Sequence, residues 1–270
     1  MKNKKCVILG GGFSIRENLW NTDINDLPLW KNIWNEFTIG TNWCFRWFIP
    51  TVLMYADYQF YGTEKKQLKH VPLILGKKDG AYLRKDGIRI DNNVLLLKEC
   101  ERKSKLIYGE KVKGLHAHYW GKEAWTKGFY SSQLIGIKAL NLAIALNYDE
   151  IYLLGFDACG DEKNRTHFYS DTEVGTYEWN NQKQSGVGKD KRGYYRTGNY
   201  NKLKALNNIW FQPFEEELQK GIKIYNVSLN SKIDTFPKIS YKNFYERLNI
   251  NARVVNHEAI RQEIRQKLNM

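Results

Sequence analysis

The sequence predicts an α/β fold, with a mostly parallel sheet flanked by helices and one long polar excursion. Three observations carry this reading. Short apolar runs recur along the chain, separated by longer mixed segments. A helical repeat over 134–146 passes through the turn "NYDE" straight into the apolar run "IYLLGF". The first apolar run, "CVIL", ends in the glycines Gly10, Gly11 and Gly12, as a strand entering a tight turn does.

Taken in order, the runs predict strands at Cys6–Leu9, Glu36–Ile39, Thr51–Tyr55, Leu73–Leu75, Ile151–Leu154 and Lys223–Asn226. The clearest helix precedes the fifth of these. Leu134, Ile137, Leu140, Leu142, Ala145 and Leu146 lie at helical spacing, and Ser131 or Ser132 is placed as the N-cap whose hydroxyl accepts an orphan backbone N–H. Between Lys163 and Tyr200 the chain turns polar, with glycines at 175, 186, 188, 193 and 198 among basic residues. A long segment of that kind in a compact domain reads as a functional loop or lid. Helical periodicity resumes over 201–220, and the tail "NHEAIRQEIRQKLNM" reads as a charged amphipathic helix that docks on the body or on another copy. The expected organisation is one domain over 1–248, with its lid at about 160–200, followed by a C-terminal helix over 249–270.

Composition narrows the class. With 270 residues, 42% of them apolar, the chain is long enough to bury a sizeable core. No run approaches the roughly 20 apolar residues of a membrane span, and the N-terminal apolar stretch is too short for a signal peptide, so a cytoplasmic protein is expected. Cys6, Cys44, Cys100 and Cys159 show no paired spacing, which argues for free thiols rather than a zinc site or disulfides. A net charge of +13 favours anionic partners: nucleotides, nucleic acid or an acidic membrane.

Ligands of open α/β sheets bind beyond the carboxyl ends of the strands. Gly10–Ser14, Gly40–Asn42, Tyr55–Asp57 and Gly155–Asp157 occupy such positions and are expected to converge. The first loop has two glycines of a dinucleotide fingerprint, but Ile15 stands where the third belongs and "IGTNW" supplies no acid for a ribose. A helix starting near Ser14 would aim free N–H groups at a phosphate, and the alternative is a simple turn. Its place after the first strand favours phosphate. On that reading, Gly12→Val should abolish nucleotide binding with the fold intact.

Asn42 suits a base or ribose, or a turn; Asp57 suits a ribose or metal, or a helix cap. Asp157 and Asp161 could share a magnesium ion, or be a cap and a surface acid. His167, beside Tyr169 and Asp171, is a candidate general base. Tyr194, Tyr195 and Arg196 could clamp phosphates and stack bases, or belong to a solvated loop. His116 and His118 lack a third ligand and read as ordinary histidines.

With "ILGGGFSI", "IGTN" and "SSQLIGIKALNLAIALNYDEIYLLGFD" in this order, the chain resembles the bacterial sialyltransferases of glycosyltransferase family 42. It is similar also to the related group of motility-accessory and hydroxymethylpterin-pyrophosphokinase-like domains. The resemblance covers about residues 1–60 and 130–230. It implies a modified Rossmann-like domain with a lid, transferring a sugar from a CMP-linked donor with inversion and no essential metal or other cofactor. Gly10, Gly12 and Ser14 would border the donor phosphate, and Asn42 the nucleotide. Ser131 and Ser132 would lie near sugar or phosphate, Gly155 and Asp157 near the cytidine, and Tyr169, Tyr194 and Tyr195 at the leaving phosphate. One departure stands out: the family's late-lid histidine falls on "GYYRTGNY", which has none. Either His167 takes the base role from earlier in the loop, or the chemistry differs.

Three functions follow as expectations. The first is a transferase acting on a nucleotide-sugar donor and an anionic acceptor, such as a phosphorylated glycan or DNA modified by a virus-encoded enzyme. The second is magnesium-dependent pyrophosphoryl transfer through Asp157 and Asp161. The third is a non-catalytic nucleic-acid-binding protein on the same fold, with steeply salt-dependent binding.

Overall fold

Strands that read as unbroken apolar runs, with no polar face, must be covered on both sides, and parallel pairing with crossover helices provides that cover. The computed structural model has this form; it describes residues 4–16, 23–55, 61, 64, 66–69, 71–100, 104–107, 110–113, 121–129, 134–159, 167–168, 210–249 and 256–269. Seven parallel strands form the sheet: β1 (Lys5–Leu9), β2 (Phe37–Thr41), β3 (Val52–Met54), β4 (Leu73–Gly76), β5 (Val94–Leu97), β8 (Glu150–Leu154) and β9 (Lys223–Asn226). Their order is β5-β4-β3-β2-β1-β8-β9. The missing numbers belong to an antiparallel pair, β6 (Ser104–Ile107) and β7 (Glu110–Lys113). The chain thus winds outward from β1 to β5, then returns to lay β8 on the other side of β1. That reversal makes the β1–β8 boundary the topological switch point of a Rossmann-like sheet.

Register sorts the side chains into two cores. Cys6 and Ile8 of β1 share one face with Phe37, Ile39, Ile151 and Leu153. Val7 and Leu9 share the other with Leu53, Leu73, Tyr152 and Leu154. Helices α1 (Pro28–Ile33), α2 (Lys77–Lys85), α3 (Lys122–Lys127), α4 (Ile135–Ala145), α5 (Glu215–Gln219), α6 (Tyr241–Asn249) and α7 (His257–Asn269) flank the sheet. Helix α4 is buried from Gly136 to Ala145, as expected of a helix apolar nearly all round. Its one buried cation, Lys138, forms an ion pair with Glu99. Leu29, Trp30 and Ile33 of α1 and Phe244 and Leu248 of α6 fill the opposite core.

The predicted strands match to within a residue or two, while β5 and the β6–β7 pair were not anticipated. The structure bears on three further local readings. Near Ser14, where a helix was expected to begin, the described residues Phe13–Arg16 form a 3-10 turn. Helix α4 has Leu134 at its N-cap, so neither Ser131 nor Ser132 is the N-cap residue. The helical periodicity predicted over 201–220 is seen in its described part, where 210–219 runs through helical residues 210–211, the 3-10 turn Gln212–Phe214 and α5.

Helix α7 docks on the body of its own chain. Ile264 is wholly buried in the α4-side core. Arg261 Nε donates to Thr51 O at 2.8 Å. The carbonyl of Trp34 can only accept, so the His257 Nε2–H donates to it at 3.1 Å, leaving Nδ1 to accept from the Thr51 hydroxyl at 2.6 Å. Among the described residues, no helix is long and apolar enough to cross a membrane. Ile264→Ala should cost about 2–5 kcal/mol in urea denaturation, because it empties a core position; a loss below about 0.5 kcal/mol would mean that α7 is only loosely attached.

Candidate functional site

The turns after β1 and β8 meet at the switch point and are joined to each other. Parallel pairing continues past the strand ends, with Gly10 N–H donating to Leu154 O at 2.7 Å and Gly12 N–H to Gly155 O at 2.8 Å. This close approach explains the glycines. A Cβ at Gly10 would lie 2.5 Å from Gly155 O, and one at Gly12 would lie 2.5 Å from both Gly155 O and Asp157 Oδ2. Gly155 itself has φ +70°, in the left-handed region that glycine adopts without penalty. The space over Gly10 and Gly12 is therefore filled by the protein's own β8 turn. The expectation that Gly12→Val would spare the fold is corrected on this ground.

Asp157 leaves the β8 turn pointing back at β1, where its Oδ2 accepts the Ser14 N–H at 2.8 Å. It thus takes the backbone donor that a ligand phosphate was expected to use. The carboxyl is only 6% exposed. Burial raises its pKa, opposed by the Ser14 hydroxyl and N–H, the Ser228 hydroxyl and the Phe13 N–H. The two hydroxyls sit beside the carboxylate without forming well-aligned hydrogen bonds, and Ser14 Oγ, Ser228 Oγ and Asp157 Oδ1 all remain buried. The loop after β9 braces this turn from behind. Asn226 Nδ2 and Ser231 Oγ both donate to Phe156 O, at 3.0 and 2.7 Å, and Lys232 N–H donates to Asp157 O at 2.8 Å. The ring of Phe156 lies against Gly136, where a Cβ would come within 2.4 Å, so the first turn of α4 abuts the same loop.

At the end of β2, Thr41 Oγ donates to Leu9 O at 2.8 Å and ties this strand end to β1. Asn42 follows with φ +49°, a backbone conformation that asparagine tolerates better than most residues. It opens the 3-10 turn Asn42–Arg46.

His167 is brought to this edge by its neighbour. Phe168 N–H donates to Gly11 O at 2.9 Å, and Arg16 Nη1 donates to Phe168 O at 3.4 Å. The Phe168 ring is fully buried, with ring centroids 5.4 Å from Trp47 and 6.2 Å from Trp30. His167 keeps some solvent contact, yet the protein around the imidazole pushes its pKa down to about 4. It is neutral at physiological pH.

The structure therefore gathers Gly10, Gly11, Gly12, Ser14, Asn42, Gly155, Asp157 and His167 at neighbouring strand ends. Asp57, Ser131, Ser132, Asp161, Tyr169, Tyr194, Tyr195 and Arg196 lie outside the described residues. Sequence reading missed Asn226, Ser228 and Ser231, although "NVSLNS" follows β9 at the same edge and the strand-end rule would have found it. It also missed Phe168, whose role depends on rings distant in sequence. Among the described residues, no group of three or more His, Cys, Asp or Glu side chains could hold a metal ion.

Fold and edge together define a Rossmann-like α/β protein with four loops joined at its switch point. Comparison of the chain with protein-family models, with curated proteins and with solved structures finds no match.

Three outcomes follow from this geometry. Gly12→Ala should destabilise the fold by about 1–3 kcal/mol through overpacking; unchanged stability would mean that the two turns can separate freely. Asp157→Ala should cost about 1–3 kcal/mol by orphaning the Ser14 N–H, whereas Asp157→Asn keeps an acceptor and should cost less. Folding raises the Asp157 pKa, so its contribution is fullest below about pH 3.9 and falls as pH rises through the raised value. Asp157→Asn should flatten that slope in urea denaturation followed from pH 3 to 7; equal slopes in both proteins would contradict the assignment.

Proposed function

We propose that this chain is an inverting glycosyltransferase that takes a sugar from a nucleotide-linked donor, a CMP-sugar, and passes it to a hydroxyl of an anionic acceptor. The observation that carries the reading is the position of His167, a neutral imidazole held one residue from the Phe168–Gly11 hydrogen bond at the switch point. The nucleotide lies across the ends of β1, β2 and β8, near Asn42. Because Asp157 already accepts from Ser14 N–H, the donor phosphate is received elsewhere. The first turn of α4, which abuts the β8 turn where Phe156 lies against Gly136, receives it on its helix N–H groups.

In the reaction, His167 removes the proton of the acceptor hydroxyl as its oxygen bonds to the anomeric carbon. The bond from that carbon to the phosphate oxygen breaks, and its electron pair leaves with the nucleoside monophosphate. A base whose pKa is about 4 is weak on its own. A bound phosphate anion nearby raises that value towards working pH, so the base strengthens when donor is present. The net charge of +13 draws an anionic acceptor to the surface.

A thermal-shift screen of CMP, UDP, GDP and their sugars, with and without magnesium, tests the reading. At 100 times its dissociation constant, a bound nucleotide stabilises the fold by about 2.7 kcal/mol. A metal-independent, CMP-selective shift is expected, and His167→Asn should preserve it while lowering turnover about 10²–10⁴-fold. In the free enzyme, kcat/KM should hold steady as pH falls through 6.5 and drop only near 4, where His167 gains its proton. A shift that requires magnesium and a triphosphate, with activity surviving in His167→Asn, would overturn it.

A further inference from the structure

We infer that Phe168 is a positioning residue, whose buried ring and two backbone hydrogen bonds set where the His167 imidazole stands. The inference rests on the glycosyltransferase reading for its catalytic meaning, but the placement itself comes from packing.

The peptide bond is planar, so the Phe168 N–H lies in one rigid unit with the carbonyl and Cα of His167. That N–H donates to Gly11 O at 2.9 Å. The next peptide unit is gripped through its carbonyl by Arg16 Nη1 at 3.4 Å. Between these two units the aromatic ring is withdrawn completely from solvent. Trp30 comes from α1, and Trp47 follows the 3-10 turn after β2. Both meet the Phe168 ring edge to face, the geometry aromatic quadrupoles favour. The Trp30 ring is in turn stacked on Phe48 at 5.7 Å, so the socket is continuous with the second core. With Phe168 held at its N–H, its ring and its carbonyl, the His167 Cα is fixed against the glycine turn. The imidazole retains only its own side-chain rotations.

This arrangement accounts for a partly accessible histidine that nonetheless stands in a poorly solvated place. Burial of the neighbouring ring draws the backbone inward, and the imidazole follows. A displacement of about 1 Å in a catalytic group can cost on the order of 10²-fold in rate, so the pin matters as much as the base.

The test follows the His167 imidazole by NMR in the full-length chain. The wild-type resonance should titrate near pH 4. In Phe168→Ala its midpoint should move towards the ordinary value of about 6.5, while Phe168→Leu, which still fills the socket, should stay close to wild type. Ile264→Ala empties a position in the other core and should leave the titration unmoved, which separates positioning from general loss of stability. If Phe168→Ala fails to fold, Trp47→Leu opens the same socket from its other side and should shift the midpoint in the same direction. For sugar transfer at pH 7, Phe168→Ala should lower kcat about 10²-fold with the donor KM unchanged. A His167 midpoint equal to wild type in both Phe168→Ala and Trp47→Leu overturns the inference. A shifted midpoint in a protein without transferase activity upholds the positioning and refutes the proposed reaction instead.

Discussion

The pairing of β1 with β8 is the contact on which the candidate site depends. It aligns Lys5 with Glu150 at one end and Leu9 with Leu154 at the other, and then continues into the two turns through Gly10 and Gly12. In most open α/β sheets the switch point leaves a crevice because the loops on either side diverge. Here the loops are held together at their bases. Whatever ligand binds must lie over this joined floor, not between its halves. The consequence reaches both cores, since β1 supplies alternate residues to each.

Desolvation is the second theme of this edge. Asp157 and His167 are pushed in opposite directions on the pH scale by the same cause, because burial disfavours whichever form carries charge. The acid is partly compensated by N–H and hydroxyl groups from two other loops. For the base, burial is the cause that lowers its pKa. The pair thus divides into a carboxyl spent on structure and an imidazole kept in its neutral form. This division, more than the glycine turn, distinguishes the edge from a generic strand-to-helix connection.

Much of the sheet was readable because a strand covered on both faces leaves an apolar run that few other structures need. Six of the seven strands were placed from such runs, β9 only from the short apolar centre of "KIYN". The exception, β5, is itself the apolar run "VLLL" at a sheet edge, and it was passed over because charged and polar residues crowd it on both sides. At Ser14 the residues that suggest a helix start also suit the 3-10 turn that Phe13–Arg16 form. Similarly, the serines before α4 looked like caps, although Leu134 fills that place.

The glycines at 10 and 12 show where local reading ends. The amino-acid sequence determined that the backbone there could be approached closely, since glycine has no Cβ. Only the tertiary structure decided what makes the approach. It is the β8 turn, more than a hundred residues later in the chain, with the Asp157 carboxylate behind it. Likewise the sequence supplied a histidine in a polar stretch, and the fold decided that Phe168, bracketed by two tryptophans from other elements, would hold it at the switch point. Apolar periodicity is a local property that any segment displays by itself. Which loops share an edge depends on strand order, and strand order exists only once the whole sheet has formed.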